Sequence, residues 1–264
     1  MQIIVLIKQV PATTEVKIDP KTNTLIRQGV ESQTNPFDIY AIEEGLRLRE
    51  RLGGGEVIAI TMGPPQAETI LKEAVALGVD TPVLLTDRKF AGADTWATGY
   101  ALSKGINKIV TSREFVILCG KQAIDGDTAQ VGPSVADMLG IPHVAYVKKV
   151  REISSNEATV ERMMEDGSDV LNISIPCLFT VVKDINTPRM PSLKGMMRAK
   201  KTEIKIFSAL DLGCDEDKIG LPGSPTIVHK IFTPPQKPGG QMLLGTAEEQ
   251  ADKLCTCLKE LKII

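Results

Sequence analysis

No Cys-x-x-Cys pair occurs in this sequence, and its five cysteines (Cys119, Cys177, Cys214, Cys255, Cys257) are odd in number and scattered. That argues against a disulfide framework and fits a reducing, cytoplasmic compartment. Histidine is almost missing: His143 and His229 are the only two. Metal chemistry and histidine acid–base catalysis therefore have few candidates, and neither a metal site nor a catalytic residue is expected. Long hydrophobic runs are missing too. The longest, Ile3–Ile7, has five residues, against the roughly 20 of a membrane-spanning helix. No basic segment precedes it and no small-residue cleavage site follows, so no signal peptide is expected. Nor is there a basic excess: 31 Lys and Arg face 33 Asp and Glu, a net charge of −2. Nucleic acid is not the expected partner.

What is present is enough apolar material for a core, 42% of 264 residues, in a pattern that alternates. Ile3–Ile7 reads as a strand covered on both faces. Asn35-Pro36 opens a helix, with Asn as N-cap and Asp38 in its first turn, and Gly53-Gly54-Gly55 stops it. Glu56–Met62 is a second strand, and Gly63-Pro64-Pro65 turns it into a helix with apolar Ala67, Ile70, Leu71, Ala74 and Val75. Pro82–Thr86 is a third strand, and Asp94 caps a helix running to about Lys108. Phe115–Cys119 is a fourth strand, followed by a loop and a helix ending at Gly140. Strands separated by helices predict a Rossmann-like α/β fold, a mostly parallel sheet with helices on both faces. From 147 to 182 the runs Ala158–Arg162, Val170–Ile175 and Leu178–Val182 read as added antiparallel strands. Thr233–Gly240 reads as a linker leading to a terminal helix with Ala247, Ala251, Leu254, Leu258 and Leu261 on one stripe. The expected organisation is an α/β domain over 1–232 and a linker with a helix over 233–264.

Ligands of such sheets sit off the carboxyl ends of the strands. The stretch Gly120–Gly132 follows a strand and opens a helix. Its small residues fit a phosphate cradle at a helix N-terminus. On pattern alone a polar connection with Thr128 or Asp127 as N-cap fits them better. Neither a G-x-G-x-x-G nor a Walker pattern is present. Thr95 and Thr98, three apart at a second helix start, can offer two hydroxyls to one pyrophosphate, or be surface threonines of an Asp94-capped helix. Thr61-Met62-Gly63-Pro64, at another strand end, is either a turn or a backbone contact to a purine. A basic run such as that in Leu193–Lys201 is more often a solvated face than a binding site, but Leu193, Met196 and Met197 sit inside it, and with the acidic net charge it reads as docking of a partner protein over nucleic acid. Asp125, Asp127 and Glu165-Asp166 have no companion histidine or nucleophile, so the chain reads as one that holds a cofactor. Cys255 and Cys257 are assigned nothing.

Several motifs in order give a closer reading. They are Ile7-Lys8-Gln9-Val10-Pro11, Asn35-Pro36-Phe37, Met62-Gly63-Pro64 and Gly120-Lys121-Gln122-Ala123-Ile124-Asp125. Val160-Glu161-Arg162, Glu165-Asp166-Gly167, Pro176-Cys177-Leu178, Pro188-Arg189 and Met197–Lys201 follow. Together they resemble the β, or small, subunit of electron-transfer flavoproteins over nearly the whole chain. The resemblance implies a heterodimer with an α subunit that carries an electron-shuttling FAD. In the respiratory branch the β subunit holds AMP on a loop reading Asp-Asp-Asp-Cys-Asn-Gln-Thr-Gly. Here Ala129 and Val131 replace the Asn and Thr of that loop. The form Asp125–Gly132 resembles the anaerobic, electron-bifurcating branch, in which FAD takes the place of AMP.

Carried over by position, the resemblance implies that Leu6, Lys8 and Met62 flank the adenosine, mostly through backbone. Ala123 with Asp127, Thr128, Ala129, Gln130 and Val131 would hold phosphate, and Thr95 and Thr98 a second one. Leu193, Met196 and Met197, within a recognition loop over 187–201, would anchor a flavin dehydrogenase of the lactate or acyl/enoyl-CoA class. NADH would be the electron donor and ferredoxin the low-potential acceptor. The terminal helix would pack on the α subunit. Met163 stands where some relatives are acidic, which weakens a charge contact to the α subunit there. A one-flavin electron carrier with structural AMP, and a stand-alone nucleotide-binding or ATP-hydrolysing domain, are the competing readings.

Overall fold

The computed structural model describes residues 1–12, 31–229 and 239–264, so most of the expected linker, 233–238, lies outside the described residues. The chain divides into two units, Met1–His229 and Lys230–Ile264. The first contains strands β1 (Gln2–Leu6), β2 (Gln9–Pro11), β3 (Ser32–Thr34), β4 (Glu56–Met62), β5 (Thr81–Leu85), β6 (Phe115–Gly120), β7 (His143–Ile153), β8 (Glu157–Met164), β9 (Gly167–Ser174), β10 (Cys177–Val181) and β11 (Lys205–Phe207). Its helices are α1 (Pro36–Arg51), α2 (Glu68–Leu77), α3 (Thr95–Ile109), α4 (Val131–Leu139) and α5 (Leu193–Lys201).

A nine-stranded sheet runs in the order β11-β5-β4-β1-β6-β10-β7-β8-β9. It is parallel from β11 to β7 and antiparallel across β7, β8 and β9. The β1 run explains the layering. All five of its residues are buried, but alternate side chains enter different cores. Ile3 and Val5 pack with Ala41, Leu46 and Ile70 of α1 and α2. Ile4 and Leu6 pack with Leu102, Ile106 and Val135 of α3 and α4. Each such side chain contributes about 2 kcal/mol on burial, and the two cores close the sheet on both faces, as the doubly wound reading requires.

Three sequence expectations are corrected. The stretch 177–181 is not antiparallel: β10 inserts between β6 and β7, parallel to both, with Phe179 opposite Leu118 and Val144. Its five residues are all buried, the pattern of a strand covered on two faces. The segment 193–201 is a helix rather than a loop. Ser192 caps it by accepting the Gly195 N–H at 3.0 Å, and Ala199 buries against Val75 and Ala76. The helix lies close on α2, since a Cβ at Gly195 would fall 2.1 Å from the Ala76 carbonyl. Finally, α4 is capped by neither Thr128 nor Asp127. Gln130 occupies the N-cap position without a side-chain cap, because Asp127 and Ala129 have positive φ (53° and 54°) and interrupt any earlier helical turn. The antiparallel pairing of β2 with β3, the edge strand β11 and the start of β7 at His143 carry too little periodicity to be anticipated.

The second unit contains α6 (Ala247–Glu260). Thr246 and Glu249 form a reciprocal capping box at its start, and none of its residues is buried. No described helix is long and apolar enough to cross a membrane.

Candidate nucleotide-binding edge

From β1 the chain winds through β4 to β5 on one side, then returns to lay β6 on the other. The crevice at the carboxyl ends of β1 and β6 is therefore the switch point at which α/β sheets hold ligands. Asp38, in the first turn of α1, spans it. One carboxylate oxygen accepts the Lys8 N–H at 2.7 Å and the other the Gly120 N–H at 3.1 Å. Burial pushes the Asp38 carboxyl up to about 7, although the Asn35 side chain and the two amides pull it the other way.

Asn35 occupies the N-cap position of α1, yet its side chain makes no capping bond. It reaches instead into the loop after β6, donating to the Gln122 carbonyl at 2.9 Å and accepting the Ile124 N–H at 3.2 Å. Lys8 closes the same loop through Asp125 at 2.7 Å. Asn35 and Asp38 are thus structural members of this edge that sequence reasoning took for an ordinary helix start. The signal available was their polarity next to Pro36 and Phe37, which alone does not separate a cap from a clamp.

Beyond Asp125 the loop turns sharply, with the Asp127 N–H on the Ala123 carbonyl at 2.9 Å. With Asp127 and Ala129 left-handed, the backbone N–H groups of Thr128, Ala129, Gln130 and Val131 make no hydrogen bond among the described residues. Such a run of free amides at a helix start is a concave anion cradle. Its floor is tight: a Cβ at Gly132 would fall 2.8 Å from both Cys119 Sγ and Thr180 Cγ2. These residues fit a phosphate group without side-chain charge.

The second expected helix start lies alongside. Asp94 caps α3 by accepting the Trp96 and Ala97 N–H groups at 2.9 and 3.0 Å. Thr95 then donates its hydroxyl to Gln130 Oε1 at 3.0 Å, so the starts of α3 and α4 meet. Thr98 follows one turn later, half-buried. Leu6 is buried and Met62 half-buried against the core on the α3 side. Lys8, Ala123, Asp127 to Val131 and Thr95 are brought to one edge. The residues expected to dock a partner are not: Leu193, Met196 and Met197 lie on α5, which packs on α2 across the sheet, and are 78%, 42% and 63% exposed.

A smaller cavity of about 220 Å³, lined by Phe37, Lys121, Met163, Val182, Lys183 and Asp184, adjoins the ends of β6 and β10. Lys121 holds its ammonium 5.1 Å over the Phe37 ring. No group of three or more His, Cys, Asp and Glu side chains is set to hold a metal among the described residues.

The electron transfer flavoprotein domain model matches residues 22–212. The chain is 50% identical, over the full length of both chains, to an electron transfer flavoprotein subunit beta of Thermoanaerobacterium thermosaccharolyticum. It is 48% identical, again over both full lengths, to the caffeyl-CoA reductase-Etf complex subunit CarD of Acetobacterium woodii. It is 45% identical to the FixA protein of Bradyrhizobium diazoefficiens, covering 96% of this chain and 90% of that one. Matched over most of its length by the family model and about half identical to β subunits from end to end, this chain belongs to the electron transfer flavoprotein family as a β subunit.

Proposed function

We propose that this chain, paired with an α subunit that carries its own FAD, binds a second FAD at the edge built by the 120–131 loop and the start of α3. Bound there, FAD supplies two-electron acceptance from NADH and one-electron delivery, to ferredoxin and, through the α-subunit FAD, to a flavin dehydrogenase. The observation that carries the reading is the Thr95–Gln130 hydrogen bond at 3.0 Å. It sets two helix starts side by side, which suits the two phosphates of a dinucleotide better than the single phosphate of AMP. The chain's own part is to bind and orient. The amides of Thr128 to Val131 take one phosphate, the hydroxyls of Thr95 and Thr98 the other, and the backbone at Leu6, Lys8 and Met62 flanks the adenosine. Ala123 shapes the loop.

In this reading residues 1–232 hold the nucleotide, and 233–264 pack on the α subunit. Leu193, Met196 and Met197 meet the dehydrogenase, as adaptable side chains on an exposed helix face. The name of the Acetobacterium relative, which pairs it with a CoA-thioester reductase, favours the acyl- or enoyl-CoA class over lactate. A soluble cytoplasmic complex completes the reading.

The test is the nucleotide content of the purified heterodimer. Two FAD and no AMP per heterodimer is the expected result. One FAD and one AMP would replace the reading with a one-flavin carrier holding a structural nucleotide.

A further inference from the structure

The segment that closes the first unit, Gly220–His229, is tied to the start of α3 by more than packing. The Leu221 N–H bonds the Ala91 carbonyl at 3.0 Å. Ser224 Oγ accepts the Asp94 N–H at 2.8 Å and donates to the Gly220 carbonyl at 2.7 Å. Thr226 then places both its donors on Asp94 Oδ2, the N–H at 3.0 Å and the hydroxyl at 2.7 Å. Asp94 therefore divides its carboxylate: Oδ1 caps α3 while Oδ2 binds the segment leading toward the C-terminal unit. Burial raises the Asp94 carboxyl, but the donors from Ala97, Thr226 and Trp96 outweigh it and hold the group below the usual carboxylate range.

A carboxylate one residue before Thr95 is an awkward neighbour for a phosphate. Four hydrogen-bond donors on it, two to each oxygen, spread the charge and hold Oδ2 toward Thr226. We propose that Thr226 is a positioning residue which, by engaging Asp94, lets the start of α3 accept an anionic ligand, so that nucleotide occupancy and the ordering of Gly220–Val228 are linked. The inference rests on the nucleotide reading given above. By reciprocity, whatever Thr226 adds to nucleotide binding, nucleotide binding returns to the Thr226 tether.

The experiment uses the purified heterodimer and four β-chain versions: wild type, Thr226→Ser, Thr226→Val and the pair Thr95→Ala/Thr98→Ala. Release of the β-site nucleotide is followed on dilution, and amide exchange across 220–228 is compared with and without added FAD, with AMP in parallel. Thr226→Val removes the hydroxyl donor to a charged acceptor and should speed release about fivefold, while Thr226→Ser stays near wild type. Added nucleotide should slow exchange across 220–228 in wild type and not in Thr226→Val. Release from Thr226→Val at the wild-type rate, beside clear loss from the threonine pair, would overturn the linkage and leave the binding site standing. Equal loss from the serine and valine versions would assign Thr226 to packing alone and also overturn it. Full retention by the threonine pair would sink the site and the linkage together.

Discussion

Asp38 and Gly120 are in direct contact across the β1–β6 crevice: the Gly120 N–H lies 3.1 Å from Asp38 Oδ1. A Cβ at Gly120 would fall 2.5 Å from that oxygen and 2.6 Å from Phe37 Cβ. The end of β6 is therefore glycine because the clamp leaves no room. Gly120→Ala should destabilise the chain by about 2 kcal/mol through overpacking, and it should loosen the proposed nucleotide loop that begins there. Urea unfolding read together with nucleotide content checks both effects. An unchanged midpoint would mean that α1 gives way without cost.

The same carboxyl predicts an unusual pH dependence. Burial pushes the Asp38 carboxyl from its ordinary 3.8 up to about 7 in the fold, so between those values the folded state holds a proton that the unfolded state has released. Stability then falls as pH rises from about 4 to 7 and levels above, by a few kcal/mol from this group. In Asp38→Asn that slope should flatten. Unfolding midpoints measured at pH 5 and pH 8 for both chains give the answer, and parallel slopes would remove Asp38 from the account.

The basic run 198–201 should divide by position. Arg198 donates to the Val75 and Val79 carbonyls at 2.7 and 2.8 Å, closing the end of α2. Arg198→Ala should cost about 2 kcal/mol through the unmet Val79 carbonyl and lost packing, since the Val75 carbonyl still accepts the Gly78 N–H at 3.1 Å. Lys200→Ala, on the exposed side, should stay within about 0.5 kcal/mol. Thermal unfolding of the two variants separates them.

Leu193 and Met197 stand outside that capping role. On the proposed docking role, Leu193→Asp with Met197→Asp should leave nucleotide content and melting temperature unchanged and abolish most electron delivery to the proposed dehydrogenase partner. Delivery at the wild-type rate would move the docking surface elsewhere.

Strand and helix placement in the first half was legible because the local patterns were strong. The Ile3–Ile7 run, the Ala67–Val75 stripe and Asp94 ahead of α3 each carry their own periodicity or cap. What was not legible depended on distant partners. Cys177–Val181 is as apolar as β1, but only its neighbours Leu118 and Val144 make it parallel. Asp38 and Asn35 look like helix-start residues until Lys8, Gly120 and Gln122 arrive from strands and loops far away in sequence. Thr95 and Thr98 were readable as a pair from spacing, whereas the meeting of Thr95 with Gln130 needed two helices to pack.

The position of β10 has a consequence for how the chain is made. Residues 177–181 fill the slot between β6 and β7, and Thr180 lies opposite Cys119, 61 positions earlier. During synthesis the first half can wind into strands and helices on its own, yet β6 keeps an unpaired edge until residue 181 has emerged. For that interval the nascent chain presents an apolar strand edge to any extended segment nearby. Closure of the sheet through this long loop, rather than formation of any helix, should set the pace of folding.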